Sequence, residues 1–70
     1  MNNKELQDLA QQYFLDKDNT YDYHAFAYDK DELILSKVSF SWAKAQGYDD
    51  VKSRLLSMYI VELANQNYPV

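Results

Sequence analysis

The sequence predicts an all-α fold: a compact domain of three main helices with a short fourth turn at 20–28. Three observations carry this reading. Apolar residues recur at helical spacing in three separate segments. Asn or Asp stands at the capping position before each segment. The second segment stops at Gly47, the only glycine in the chain.

The first segment places Leu6, Leu9, Ala10, Tyr13 and Phe14 on one helix face, with Lys4, Gln7, Asp8, Gln11 and Gln12 on the other. Asn2 can cap it, with Glu5 three residues on in a polar variant of the capping box. The helix is expected to fade near Lys17, because Asp18-Asn19-Thr20 is turn chemistry. The next stretch, Thr20 to Tyr28, reads two ways. It can form the short fourth turn. Alternatively, Tyr21, Tyr23, Phe26 and Tyr28 favour a strand by residue type, and the alternation around Ser39 and Ser41 offers a hairpin partner. That alternative is an α-β-β-α chain with a hairpin at 20–42.

Asp29-Lys30-Asp31-Glu32 has the cap-x-x-Glu form that opens a helix. Ile34, Leu35, Val38, Trp42 and Ala45 then share a face and are expected in the core. Gly47 suits the left-handed position after the helix, with Tyr48 supplying the hydrophobic contact beyond it. Asp49 or Asp50 caps the last helix, from about Val51 to Gln66. Leu55, Leu56, Tyr59, Ile60 and Leu63 form its apolar arc, and Pro69 falls in a frayed tail.

Composition narrows the function. The chain has 70 residues, read as one domain over 1–70; apolar types make up 47% and aromatics 16%, unlike a disordered tail. With no cysteine, a disulfide scaffold and a Cys-based zinc site are excluded, and a reducing compartment fits. One glycine cannot build a phosphate-cradling loop. No apolar run approaches the ~20 residues of a membrane span. MNNKELQDLAQQ also lacks the order of a signal peptide, so the expected setting is the cytoplasm, with no membrane partner. The Asn, Tyr and Lys content fits an AT-rich bacterial or phage genome. The net charge of −4 argues against general nucleic-acid binding, which draws its affinity from Lys and Arg on phosphates. A domain this small buries only roughly 60% of its unfolded surface, so without disulfides or metal it needs either very regular packing or a partner subunit, as in a homodimer.

Several constellations bear on chemistry. Asp16-Lys17-Asp18-Asn19-Thr20-Tyr21-Asp22 resembles the opening of an EF-hand calcium loop. With Asp16 in first position, however, the sixth-position glycine is Tyr21 and the twelfth-position Glu is Ala27. His24 is the sole imidazole, expected to sit partly buried among tyrosines. No serine near it stands in a nucleophile context, and Ser36, Ser39, Ser41, Ser53 and Ser57 read as helix-surface residues. Trp42 to Asp50 resembles part of a helix-turn-helix, which implies DNA contacts around Lys52 and Arg54. Asp49 and Asp50 would then put negative charge where phosphates are met.

The charge pattern says more. Lys30, Lys37 and Lys44 repeat every seven residues, beside Leu33 and Phe40 and almost opposite the Ile34/Val38/Trp42 face. Two arrangements fit: a second helix packed between the first and third, or an exposed ridge of Leu33 and Phe40 rimmed by lysines. Tyr21, Tyr23 and Tyr28 form an aromatic-acidic segment that either covers the core or joins an interface. The expectation is a non-enzymatic adaptor, inhibitor or regulator that binds another protein or a second copy of itself. Leu33, Lys37, Phe40, Lys44, Tyr21 and Tyr23 are the candidate contacts; no catalytic, metal or cofactor residue is assigned. The alternatives are a helix-turn-helix regulator and an acidic mimic of nucleic acid.

Overall fold

The computed structural model describes residues 3–19 and 21–66. The expected Asn2 cap, the Thr20 turn position and Pro69 lie outside them. Four helices follow in order: α1 (Asn3–Leu15), α2 (Tyr23–Asp29), α3 (Glu32–Ala45) and α4 (Asp50–Asn65). Every regular element among the described residues is helical, so the hairpin at 20–42 does not form. Local caps decide this. The Asp22 carboxylate accepts from the Ala25 amide (2.9 Å) and that of Asp31 from the Ile34 amide (3.2 Å), each starting a helix where a strand was the alternative.

The turn after α1 is tied by short bonds. Asn19 Nδ2 donates to the Tyr13 carbonyl at 2.7 Å, and the Asp18 amide to the Asp16 carboxylate at 2.9 Å. The short α2 is held by fully buried Phe26. It closes on Lys30, whose left-handed backbone (φ 56°) lets its amide donate to the Phe26 carbonyl at 2.7 Å. The opening of α3 is thus two residues later than Asp29, because Asp29 ends α2 and Asp31 is the cap. At the far end of α3, Gly47 (φ 96°) donates to the Lys44 carbonyl and Tyr48 to that of Ala43 (2.9 and 3.3 Å). This is the paired-bond helix stop that the glycine predicts. Asp49 then caps α4 through the Lys52 amide at 2.7 Å.

Tyr13, Phe26, Leu35, Leu56 and Ile60 fill the core. Here α4 is the central element, packing against all three other helices and most extensively against α3. The arrangement with the second long helix in the middle is therefore not the one adopted. The buried row of α3 is Leu35, Ser39 and Ala43, with Val38 and Trp42 half-buried and Ile34 and Ala45 exposed. On α4, Leu55 is exposed, and Ser53 and Ser57 are buried beside Leu56 and Ile60. Ser39, Ser53 and Ser57 are thus not surface residues; only Ser41 is exposed, and Ser36 is half-buried. The physical reason is close approach. Small side chains let two helices pack tightly, provided that each buried hydroxyl finds an acceptor. The Ser39 hydroxyl donates to the Leu35 carbonyl (2.7 Å) or to Ser57 Oγ (2.9 Å), and Ser57 donates to the Ser36 carbonyl (2.8 Å).

Candidate functional site

The helices α3 and α4 run antiparallel along their whole length. The turn end is closed by Lys44 Nζ on Asp50 Oδ1 at 2.6 Å. At the other end Asn65 Nδ2 donates to Glu32 Oε2 at 3.0 Å. The serine bonds hold the middle. Such pairing lacks the steep crossing, about 90–120°, of a helix-turn-helix. Lys52 is also taken up within the fold: its ammonium pairs with Glu5 (3.2 Å) and lies 4.4 Å from the centre of the Tyr48 ring.

With the inner face of this hairpin packed, its outer face carries two parallel stripes. Leu33, Lys37, Phe40 and Lys44 lie along α3, and Val51, Leu55, Met58 and Glu62 along α4, both at the 4, 3, 4 spacing of one helix face. Leu33, Val51, Leu55 and Met58 are 65%, 71%, 47% and 62% exposed. Between the stripes lies an open hollow of about 460 Å³, lined by Phe40, Met58, Lys37, Arg54 and three serines. Met58 also lines two adjoining hollows, one of about 460 Å³ beside Leu33 and Val61 and one of about 210 Å³ beside Val51 and Leu55. The apolar strip is therefore continuous, with Met58 at its centre. Lys37 and Arg54 edge it, and neither closes a salt bridge among the described residues. The hydrogen bond and charge of Lys44, with a smaller effect of Arg54, hold the Asp50 carboxyl below its ordinary range.

The structure thus brings Leu33, Lys37, Phe40 and Lys44 together, and not the two tyrosines. Tyr21 is buried, and its hydroxyl has no hydrogen-bond partner among the described residues. Tyr23 is half-buried and packs edge-on against Phe14 at 6.0 Å. Neither lines the hollows above. Sequence reasoning missed Val51, Arg54, Leu55 and Met58. The signal is present as the second 4, 3, 4 stripe, but the apolar spacing of α4 also puts Leu55 in the expected core arc.

The other constellations take on structural roles. Asp16, first residue of the calcium-loop resemblance, accepts the Trp42 indole N–H at 2.8 Å. That bond, then the Asp18 amide, lowers its pKa. His24 is exposed rather than partly buried, with its ring 6.2 Å from that of Tyr23. Among the described residues no group of three or more His, Asp or Glu is placed to hold a metal ion, and no helix is long and apolar enough to cross a membrane. Comparison with protein-family models, curated proteins and solved structures finds no match for the chain.

Proposed function

We propose that the chain is a non-enzymatic protein-binding module that works through the outer face of α3 and α4. The observation that carries this reading is the continuous strip of exposed Leu33, Met58, Leu55 and Val51 around half-buried Phe40 on two adjacent helices. The core is built from other residues, so packing within the domain does not account for the strip. Apolar area left in water costs about 25 cal/mol per Å² relative to burial, and a docked partner recovers it. An apolar centre edged by Lys37 and Arg54 has the make-up of a protein interface, where a methionine also adapts to the opposing shape. Whether the module acts as adaptor, inhibitor or regulator follows from the partner.

A photo-reactive side chain at Met58 tests this in the living host, with the same group at exposed Gln12 as control. The expected outcome is a cross-linked polypeptide from Met58 alone, suppressed when Leu33→Asp is added to the same chain. Equal labelling from the two positions overturns the reading.

A further inference from the structure

We infer that the occupant of this face is a second copy of the same chain, docked antiparallel about a two-fold axis lying in the interface. The inference rests on the protein-binding reading above and names its partner. What points to a self-complementary contact is the way charge is distributed along the strip. At the open end of the hairpin, where α3 begins and α4 ends, the face carries Glu32 and Glu62. Toward the turn end it carries Lys44 and Arg54, with Asp50 already held by Lys44 at 2.6 Å. Lys37 stands near the middle beside Phe40, level with Met58. With Lys44 offset by Asp50, which also lines the hollow beside Arg54, the face is acidic at one end and carries its net positive charge on Lys37 near the middle and on Arg54 toward the other end.

A two-fold contact uses the same patch on both copies, so each residue must suit the residue that the axis carries it to. Parallel docking lays Glu32 and Glu62 on their own counterparts, which is repulsive. Antiparallel docking lays them across from Lys44 and Arg54 of the other copy, twice over. It also stacks Phe40, Leu55 and Met58 near the axis and brings each Lys37 toward the other copy's Phe40 ring, a favourable cation–aromatic approach. Two hairpins packed face to face make a four-helix arrangement, a stable way to cover two half-buried helices. The small size of the domain, which limits what its own core can bury, adds to the driving force.

Sedimentation velocity over a concentration series tests this with three designed variants and the unaltered chain. Folding is checked throughout by circular dichroism. The unaltered chain should shift with concentration from 8.3 kDa toward twice that mass, and weaken as salt is raised, since exposed charge pairs are screened. Lys37→Glu with Arg54→Glu removes the face's net positive charge and leaves Lys44 on Asp50; Glu32→Lys with Glu62→Lys removes its acidic end. Each double variant alone should self-associate at least about tenfold more weakly, because like charges meet across the axis. An equimolar mixture of the two should recover association as a one-to-one heterodimer. Met58→Asp should abolish association while leaving the fold intact.

A chain that stays at 8.3 kDa up to about 1 mM overturns the inference. So does a dimer indifferent to Met58→Asp, which must use another surface. So does a dimer that Met58→Asp abolishes but the charge variants leave unchanged, which uses this face in another orientation. The broader protein-binding reading is judged separately: Met58 cross-links to a different polypeptide sustain it after the second copy has been excluded, and their absence ends it.

Discussion

Tyr13 joins three parts of the molecule through one side chain. Its ring is fully buried and meets that of Trp42 edge-on at 5.5 Å. Its hydroxyl donates to the Tyr21 carbonyl at 2.7 Å, fastening α1 to the segment before α2. Burial, then the nearby Asp22 charge and Tyr21, push its pKa well above the ordinary tyrosine range. A tyrosine whose folded pKa is raised stabilises the fold below its unfolded pKa of about 10, and that contribution is lost as pH climbs through the folded value. Stability is therefore expected to fall above about pH 10. Tyr13→Phe should cost about 0.5–1.5 kcal/mol at neutral pH, from the lost hydrogen bond, and should make the alkaline decline shallower. Urea unfolding of both proteins at pH 7 and above pH 10 checks the two statements; an equally steep decline in the variant would assign the alkaline transition elsewhere. Asp16 has the opposite sign. The indole of Trp42 and the Asp18 amide depress its pKa. Its contribution is therefore present above the unfolded carboxyl value of about 3.9 and is lost as pH falls through the folded one.

The joint between α3 and α4 is the most sharply specified element. Gly47 stands at φ 96°, and a Cβ added there would meet nothing within 4 Å. The glycine is thus required by backbone conformation and not by space. Gly47→Ala is expected to cost about 1–2 kcal/mol, the penalty of a left-handed conformation for an L side chain. Gly47→Asn should cost less, since asparagine tolerates that region. Thermal melting of the two variants gives the ordering directly, and an alanine variant as stable as the parent would show that the turn can be remade. Much of this element was readable in the chain: Gly47, Tyr48 and the Asp49 cap all act over five residues or fewer. The pairing of the helices on either side was less readable. Five serines look alike in a string of letters, yet Ser39, Ser53 and Ser57 are buried and Ser41 is exposed.

Taken as a whole, the domain separates residues that hold it together from residues that face outward, and α3 carries both kinds. Leu35 is fully buried, whereas Phe40, five residues on, edges the outer hollow. Total stability for a chain of this length is expected to be roughly 4–10 kcal/mol. Leu35→Ala should remove about 2–5 kcal/mol, enough to populate the unfolded state. Phe40→Ala should remove less, because Phe40 is only half-buried and lies outside the core cluster. Paired denaturation curves in dilute solution, where association makes no contribution, check the contrast. Comparable losses would place Phe40 in the core and remove the centre of the proposed docking face.

What could be read from the chain was whatever depends on near neighbours. The apolar face of α1, the stop at Gly47, the cap at Asp49 and the Leu33/Lys37/Phe40/Lys44 stripe all follow from spacing and from bonds that span a single helical turn. The side of α3 that turns inward could be read only in part. Ile34, Leu35, Val38, Trp42 and Ala45 offered one apolar face and Leu33 and Phe40 another; Leu35 is buried and Val38 and Trp42 pack against the core, but the fully buried row is Leu35, Ser39 and Ala43. Tertiary packing made that choice, because burial rewards close approach as well as hydrophobicity. A serine whose hydroxyl already bonds a helix carbonyl is inexpensive to bury and narrow enough to let α4 lie against α3. The same packing made α4 the central helix and left Val51, Leu55 and Met58 outside. The proposed interaction face therefore consists of apolar side chains that the closest helix contact left uncovered.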